Sequence, residues 1–108
     1  MTYLADSMVI EWLKVKVAPE DREQYIQKDA EIWTKALANF PGFLGKEVWI
    51  NPVEPSEVIM VIRWQSQEQW KAIPADQLQQ IEQQFDQQVG VPYQLTEEGG
   101  YQVRKFPA

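Results

Sequence analysis

The stretch Glu57-Val-Ile-Met-Val-Ile-Arg-Trp-Gln-Ser-Gln-Glu-Gln-Trp70 decides how this chain folds. Val58, Met60 and Ile62 fall on one side of an extended segment and Ile59 and Val61 on the other, so both faces are apolar. A strand of that kind is buried on two sides. The apolar run closes on Trp64, and Ser66 with Gln69 three residues later forms the pattern of a capping box, which predicts a short helix carrying Trp70 and Ile73. A strand that feeds a short helix and is covered on both faces is therefore the unit around which the rest must be arranged.

On the N-terminal side, Asn51-Pro-Val-Glu-Pro-Ser56 is a cluster of turn formers, and Phe43 to Ile50 before it reads as a strand, so the two strands are expected to form a hairpin. Pro41-Gly42 ends the preceding element. That element is an amphipathic helix of about five turns, in which Tyr25, Ile26, Asp29, Ile32, Trp33, Ala36, Leu37 and Phe40 recur at spacings of three and four. Pro19 suits its first turn, and Glu20, Asp21 and Glu23 place negative charge at the positive end of its dipole. Met8 to Val17 alternates as a strand with Val9, Glu11, Leu13, Val15 and Val17 on one face. On the C-terminal side, Pro74 starts a second amphipathic helix marked by Leu78, Ile81, Phe85 and Val89, with Gly90 placed to cap it. The glutamine-rich run within it keeps its period and is read as a solvated helix face. A Gly99-Gly100 break and a last strand from Tyr101 to Phe106 complete the chain, and residues 1–7 are expected to form a ragged leader. The order β, α, β, β, α, β is the ferredoxin-like α+β arrangement, a single domain with a four-stranded antiparallel sheet and helices on one face. The second apolar face of the third strand needs a cover, and sheet-to-sheet packing with an identical subunit would close a dimeric α+β barrel.

Composition narrows the chemistry. The chain has 108 residues, no histidine and no cysteine, a formal charge of −6 and a pI near 4.6. No disulfide scaffold, zinc finger or serine–histidine hydrolase can be built from it. The acidic balance opposes a phosphate backbone, so nucleic acid is not an expected partner. Met1 to Leu13 contains neither a basic leader nor an uninterrupted apolar run, so the expectation is a cytoplasmic protein without a signal peptide or membrane span. No glycine-rich phosphate loop or calcium-loop spacing is present, and no cofactor or metal is expected.

Three motifs taken together resemble the antibiotic-biosynthesis-monooxygenase-like group of the dimeric α+β barrel superfamily: the first strand running into Val17-Ala-Pro-Glu20, the link Phe40-Pro-Gly-Phe-Leu-Gly45, and Arg63-Trp-Gln-Ser-Gln-Glu-Gln-Trp70. The segment from Tyr25 to Trp33 further resembles a small cyanobacterial branch of that group. The resemblance implies a ferredoxin-like fold, a homodimer and a pocket between the helices and the sheet of each subunit. It also implies a range of activities, from cofactor-independent oxidation of aromatic polyketides to haem degradation. Haem-degrading relatives use a histidine at a position that falls here near Gln80, and without histidine or cysteine that ligation is lost.

Glu11 sits on a strand face with four aliphatic residues, and the third strand should lie beside it, which would bring Arg63 within reach. Burial raises a carboxylate pKa and a guanidinium lowers it, so the pair reads either as a poised base or as a structural ion pair. Asp29 lies on the apolar helix stripe with Tyr25 and Trp33. It hydrogen-bonds a tyrosine or tryptophan, completes a Glu11-Asp29-Arg63 cluster, or stands at the water edge of a slightly rotated helix. Trp33, Trp64 and Trp70 are expected, with Tyr25, to wall the pocket in the resembling fold. Two functions stay open: a cofactor-independent monooxygenase or isomerase with Glu11, Asp29 and Arg63 as catalytic groups, or a non-catalytic homodimer that binds a small apolar molecule or a protein partner. A cavity of roughly 300 Å³ or more beside Glu11 or Asp29 favours the first, and an interior filled by tryptophan favours the second.

Overall fold

The structure, a computed structural model, describes residues 8–105. The expected leader at 1–7 and Phe106 of the expected last strand lie outside the described residues. Four strands, β1 (Val9–Lys16), β2 (Phe43–Ile50), β3 (Glu57–Trp64) and β4 (Gln94–Gln102), form one sheet in the order β2-β3-β1-β4 with every neighbouring pair antiparallel. The α+β ferredoxin-like fold is thereby established. β3 and β1 occupy the centre, and in the strand Glu57–Trp64 Val58, Met60 and Ile62 are buried on the side of the helices, Ile59 and Val61 on the other. Asn51 shapes the β2–β3 turn by accepting the backbone N–H of Val53 at 2.9 Å and of Glu54 at 3.1 Å on its side-chain oxygen.

The first helical segment opens with a 3₁₀ turn (Pro19–Asp21) and continues as α1 (Arg22–Asp29), a π-helical turn (Ala30–Thr34) and α2 (Lys35–Leu37). A regular helix was expected here. The π turn inserts directly after Asp29, and such wide turns shift the faces of the helix on either side and recur at functional sites. α3 (Gln67–Lys71) starts as the capping pattern indicated, with the Gln69 backbone N–H donating to the Ser66 hydroxyl oxygen at 3.1 Å. α4 (Ala75–Gln88) ends at Gly90, whose φ of 75° is the left-handed conformation that terminates helices.

The last strand departs from the expectation of Tyr101 to Phe106, since β4 runs Gln94–Gln102 and passes through Gly99-Gly100 instead of starting after them. Its side chains are mostly polar, with Leu95 and Tyr101 the exceptions, and show no alternation, but its backbone pairs with the free edge of β1 over its length, with a register shift between Lys14 and Val15. Backbone pairing needs no apolar side chains, and the two glycines leave room for rings laid over the strand: a Cβ on Gly100 would stand 2.9 Å from Cζ3 of Trp70.

The core lies between the sheet and the helices. Val15, Val58 and Met60 meet Tyr25, Ile32, Phe85 and Val89 in one cluster, while Val9, Ile62 and Trp64 meet Leu37 and Ile73 in a second.

Candidate active site

A cavity of about 330 Å³ opens between α1, α4 and the sheet. Leu13, Met60 and Ile62 floor it, Trp33, Trp70 and Phe85 wall it, and its polar lining includes Glu11, Tyr25, Asp29 and Lys46. The interior is thus hollow beside both carboxylates that the sequence singled out.

Glu11 reaches the cavity because it keeps the parity of Val9, Leu13 and Val15 on β1. Its carboxylate accepts the indole N–H of Trp64 at 3.1 Å. Burial pushes the Glu11 carboxyl above its ordinary range, the Trp64 N–H and the positive charges of Lys46 and Lys71 hold back part of the rise, and Glu98 adds to it. A carboxyl so placed holds a proton more readily than an exposed one and is the stronger base when ionised.

Asp29 forms an ion pair with Lys46 at 2.5 Å, and their side chains are only 4% and 3% exposed. Burial pushes the Asp29 carboxyl up and Lys46 opposes the rise by charge and hydrogen bond. Tyr25, one turn before Asp29 on α1, packs its ring edge-on against Phe85 with centroids 5.4 Å apart. Burial, reinforced by the Asp29 charge, lifts its hydroxyl far above the ordinary phenol range, so it stays a neutral donor. Among the described residues no group hydrogen-bonds that hydroxyl.

Two of the sequence expectations are corrected. Arg63 does not join Glu11: it pairs with Ile10 across the strands, stands on the opposite sheet face, and reaches Glu47 at 3.3 Å near solvent. The reason is parity, since Glu11 and Ile62 are opposite each other and the next residue must point away. Trp64 does not wall the cavity either. It is completely buried and holds Glu11 from behind. Tyr25, Trp33 and Trp70 do line it, and Asp29 is buried, not at the water edge.

The cation facing Glu11 is Lys46, which strand parity conceals. Phe43 pairs with Trp64 and Gly45 with Arg63, so Leu44 is an extra residue and the alternation of β2 slips by one. Lys46 then opposes Ile62 on the cavity face, where a regular strand would have pointed it outward. The one signal in the sequence is Gly45, whose φ of 146° few other residues adopt. Among the described residues no group of three or more histidine, cysteine, aspartate or glutamate side chains converges as a metal cage.

Comparison with known structures returns the same architecture. A monooxygenase of Streptomyces coelicolor in complex with nanaomycin D superposes with a TM-score of 0.73 at 10% identity over 99% of this chain and 98% of that one. A conserved protein of Methanosarcina mazei gives 0.67 at 15% identity over 94% and 97%. SnoaB, a cofactor-independent oxygenase of Streptomyces nogalater, gives 0.63 at 13% identity over 93% and 96%. At these identities the likeness is one of fold. No curated protein matches the sequence significantly. The model of the antibiotic biosynthesis monooxygenase family matches residues 8–77, which span β1 through the start of α4 and most of the cavity lining, and the chain belongs to that family.

Proposed function

We propose that this protein is a cofactor-independent monooxygenase acting on a small apolar or aromatic substrate that carries an acidic C–H or phenolic O–H. The observation that carries the reading is the hollow, largely apolar cavity with a partly desolvated Glu11 carboxylate on its floor. Glu11 takes the proton, Trp64 keeps the carboxylate aimed, and Trp33 and Trp70 position the ring and exclude water. The resulting carbanion gives one electron to O₂ and recombines with it as a peroxide. Return of the proton and loss of water leave a ketone where a CH₂ stood, with one oxygen atom in the product and one in water. Proton abstraction without oxygen would begin an isomerisation, so oxygen uptake separates the two.

The non-catalytic alternative drew on a tryptophan-filled interior and a Glu11–Arg63 pair, and neither feature supports it here. A homodimer through the outer sheet face belongs to the same reading. Trp12, Ile59, Val61 and Trp49 gather there by strand parity, and Trp49 is 47% exposed. On the segment from Tyr25 to Trp33 we place the chain in a small cyanobacterial branch of the family.

The test is an oxygen electrode with anthrone, whose methylene is acidified by the ring carbonyl. Wild-type protein is expected to raise uptake on the order of 10²-fold or more over the protein-free rate, and Glu11→Gln to remove most of that gain. Nanaomycin D, the ligand of the Streptomyces coelicolor relative, should quench Trp33 and Trp70 fluorescence in both proteins. Quenching without oxygen uptake would favour a binding protein.

A further inference from the structure

Two unrelated irregularities of the backbone meet at one point. The π turn Ala30–Thr34 begins at the residue after Asp29, and the β2 bulge at Leu44 and Gly45 ends at the residue before Lys46. There one buried carboxylate and one buried ammonium stand against each other at the cavity wall. Such a pair contributes little to stability, because desolvation offsets its attraction, and apolar residues of the same volume serve a core at least as well. Bulges and π turns that re-aim side chains are features of sites. Asp29 faces inward by the regular period of its helix, but Lys46 meets it only because of the bulge, and an ion pair that depends on such an irregularity is not explained by packing.

The surroundings point to what it binds. Glu11 opposes Ile62 and Ile62 opposes Lys46, so the three stand in one cross-strand row, with Glu11 and Lys46 two strand spacings, about 10 Å, apart at the backbone. A ring lying over Ile62 presents one edge to Glu11 and the other to Lys46. The ammonium carries three N–H donors, and Asp29 is its one partner among the described residues. The Tyr25 hydroxyl, buried and without a hydrogen-bond partner among the described residues, lies one helical turn from Asp29 on the same wall. A buried donor left unmade is costly, so an acceptor in the cavity is favoured beside both groups.

We propose that Lys46, held by Asp29 and assisted by Tyr25, is an oxyanion subsite: it takes the ligand oxygen on which negative charge settles when the ligand loses its proton at the Glu11 end. This rests on the proton-abstraction reading and adds the place where the charge goes. Lys46 and Tyr25 contact the ligand, and Asp29 is a positioning residue that fixes the ammonium.

The probe is 4-nitro-1-naphthol, a two-ring phenol whose oxyanion is coloured, so its ionisation can be read while it is bound. Tryptophan quenching reports binding independently. Wild type is compared with Asp29→Asn/Lys46→Met, so that the ammonium is tested where Asp29 holds it and neither protein contains a lone buried charge. An adjacent positive charge favours the ionised form by about one to three pKa units, so the double variant is expected to raise the midpoint of the bound dye by at least one unit, tenfold in its ionisation constant. Wild type against Lys46→Met repeats the comparison should the double variant fail to fold. Tyr25→Phe should move the midpoint in the same direction by less. Equal midpoints with and without Lys46 would overturn the subsite, as would the absence of saturable quenching in wild type. If anthrone oxidation fails while the midpoints differ, the reaction is lost and the subsite stands.

Discussion

The indole N–H of Trp64 donates to the Glu11 carboxylate at 3.1 Å, tying the end of β3 to the middle of β1 beneath the cavity floor. Val9 is the direct partner of Trp64, so Glu11 is its diagonal neighbour on the same face, within reach of a long aromatic side chain. Trp64→Phe removes this donor and, at a fully buried site, also removes ring volume, which adds a cavity cost to the lost bond. A hydrogen bond to a charged group contributes about 1.5–3 kcal/mol, and urea unfolding at neutral pH is expected to show a loss of at least that order. The carboxyl pKa, no longer lowered by the indole, should rise further, and the pH at which oxygen uptake half-appears should move up with it.

Glu11 also predicts a pH dependence of stability. Burial raises its pKa above the ordinary 4.5, so the folded state binds the proton more tightly than the unfolded state. The stability this provides is complete below the unfolded value and is lost as pH rises through the raised folded value. Glu11→Gln has no such loss. Thermal melts between about pH 4 and pH 8 should show the two proteins closely matched at the acid end and the glutamine variant melting higher at neutral pH. A wild type that gains stability relative to the variant as pH rises would refute this.

At Gly45, with φ at 146°, an added Cβ would meet no atom within 4 Å, so the penalty of Gly45→Ala is conformational alone. Strain of this kind amounts to about 1–3 kcal/mol. The alternative open to the chain is to expel the bulge, which turns Lys46 outward. The variant should therefore lose stability by that amount in urea titrations and lose the dye response as completely as Lys46→Met.

Neighbouring glycines on β4 should respond unequally. A Cβ at Gly100 would stand 2.9 Å from Trp70, while one at Gly99 would stand 3.3 Å from the ring of Tyr101, which is 61% exposed and free to swing. Gly100→Ala should cost about 1–3 kcal/mol and push Trp70 into the cavity, weakening nanaomycin D binding. Gly99→Ala should leave binding unchanged. Fluorescence titration of both variants checks the contrast.

The order of elements, the centrality of Glu57–Trp64, the Ser66 cap and the Gly90 stop all follow from local pattern, because period and capping chemistry act over a few residues. Glu11, Asp29, Tyr25, Trp33 and Trp70 were legible for the same reason, as polar or aromatic groups on faces whose direction the pattern defines. β4 was misplaced because an edge strand held by backbone hydrogen bonds leaves no trace in side-chain alternation.

What the sequence by itself determined is the α+β class, the element order and the two carboxylates facing the core. Which cation faces them was decided only in the tertiary structure. Arg63 and Lys46 both precede or follow apolar strand residues, and nothing local ranks one above the other. One extra residue at Leu44 reverses the parity of β2 and turns Lys46 in, while the unbroken register of β1 and β3 turns Arg63 out to Glu47. Register is a property of two paired strands, and a single strand read along its own sequence does not contain it.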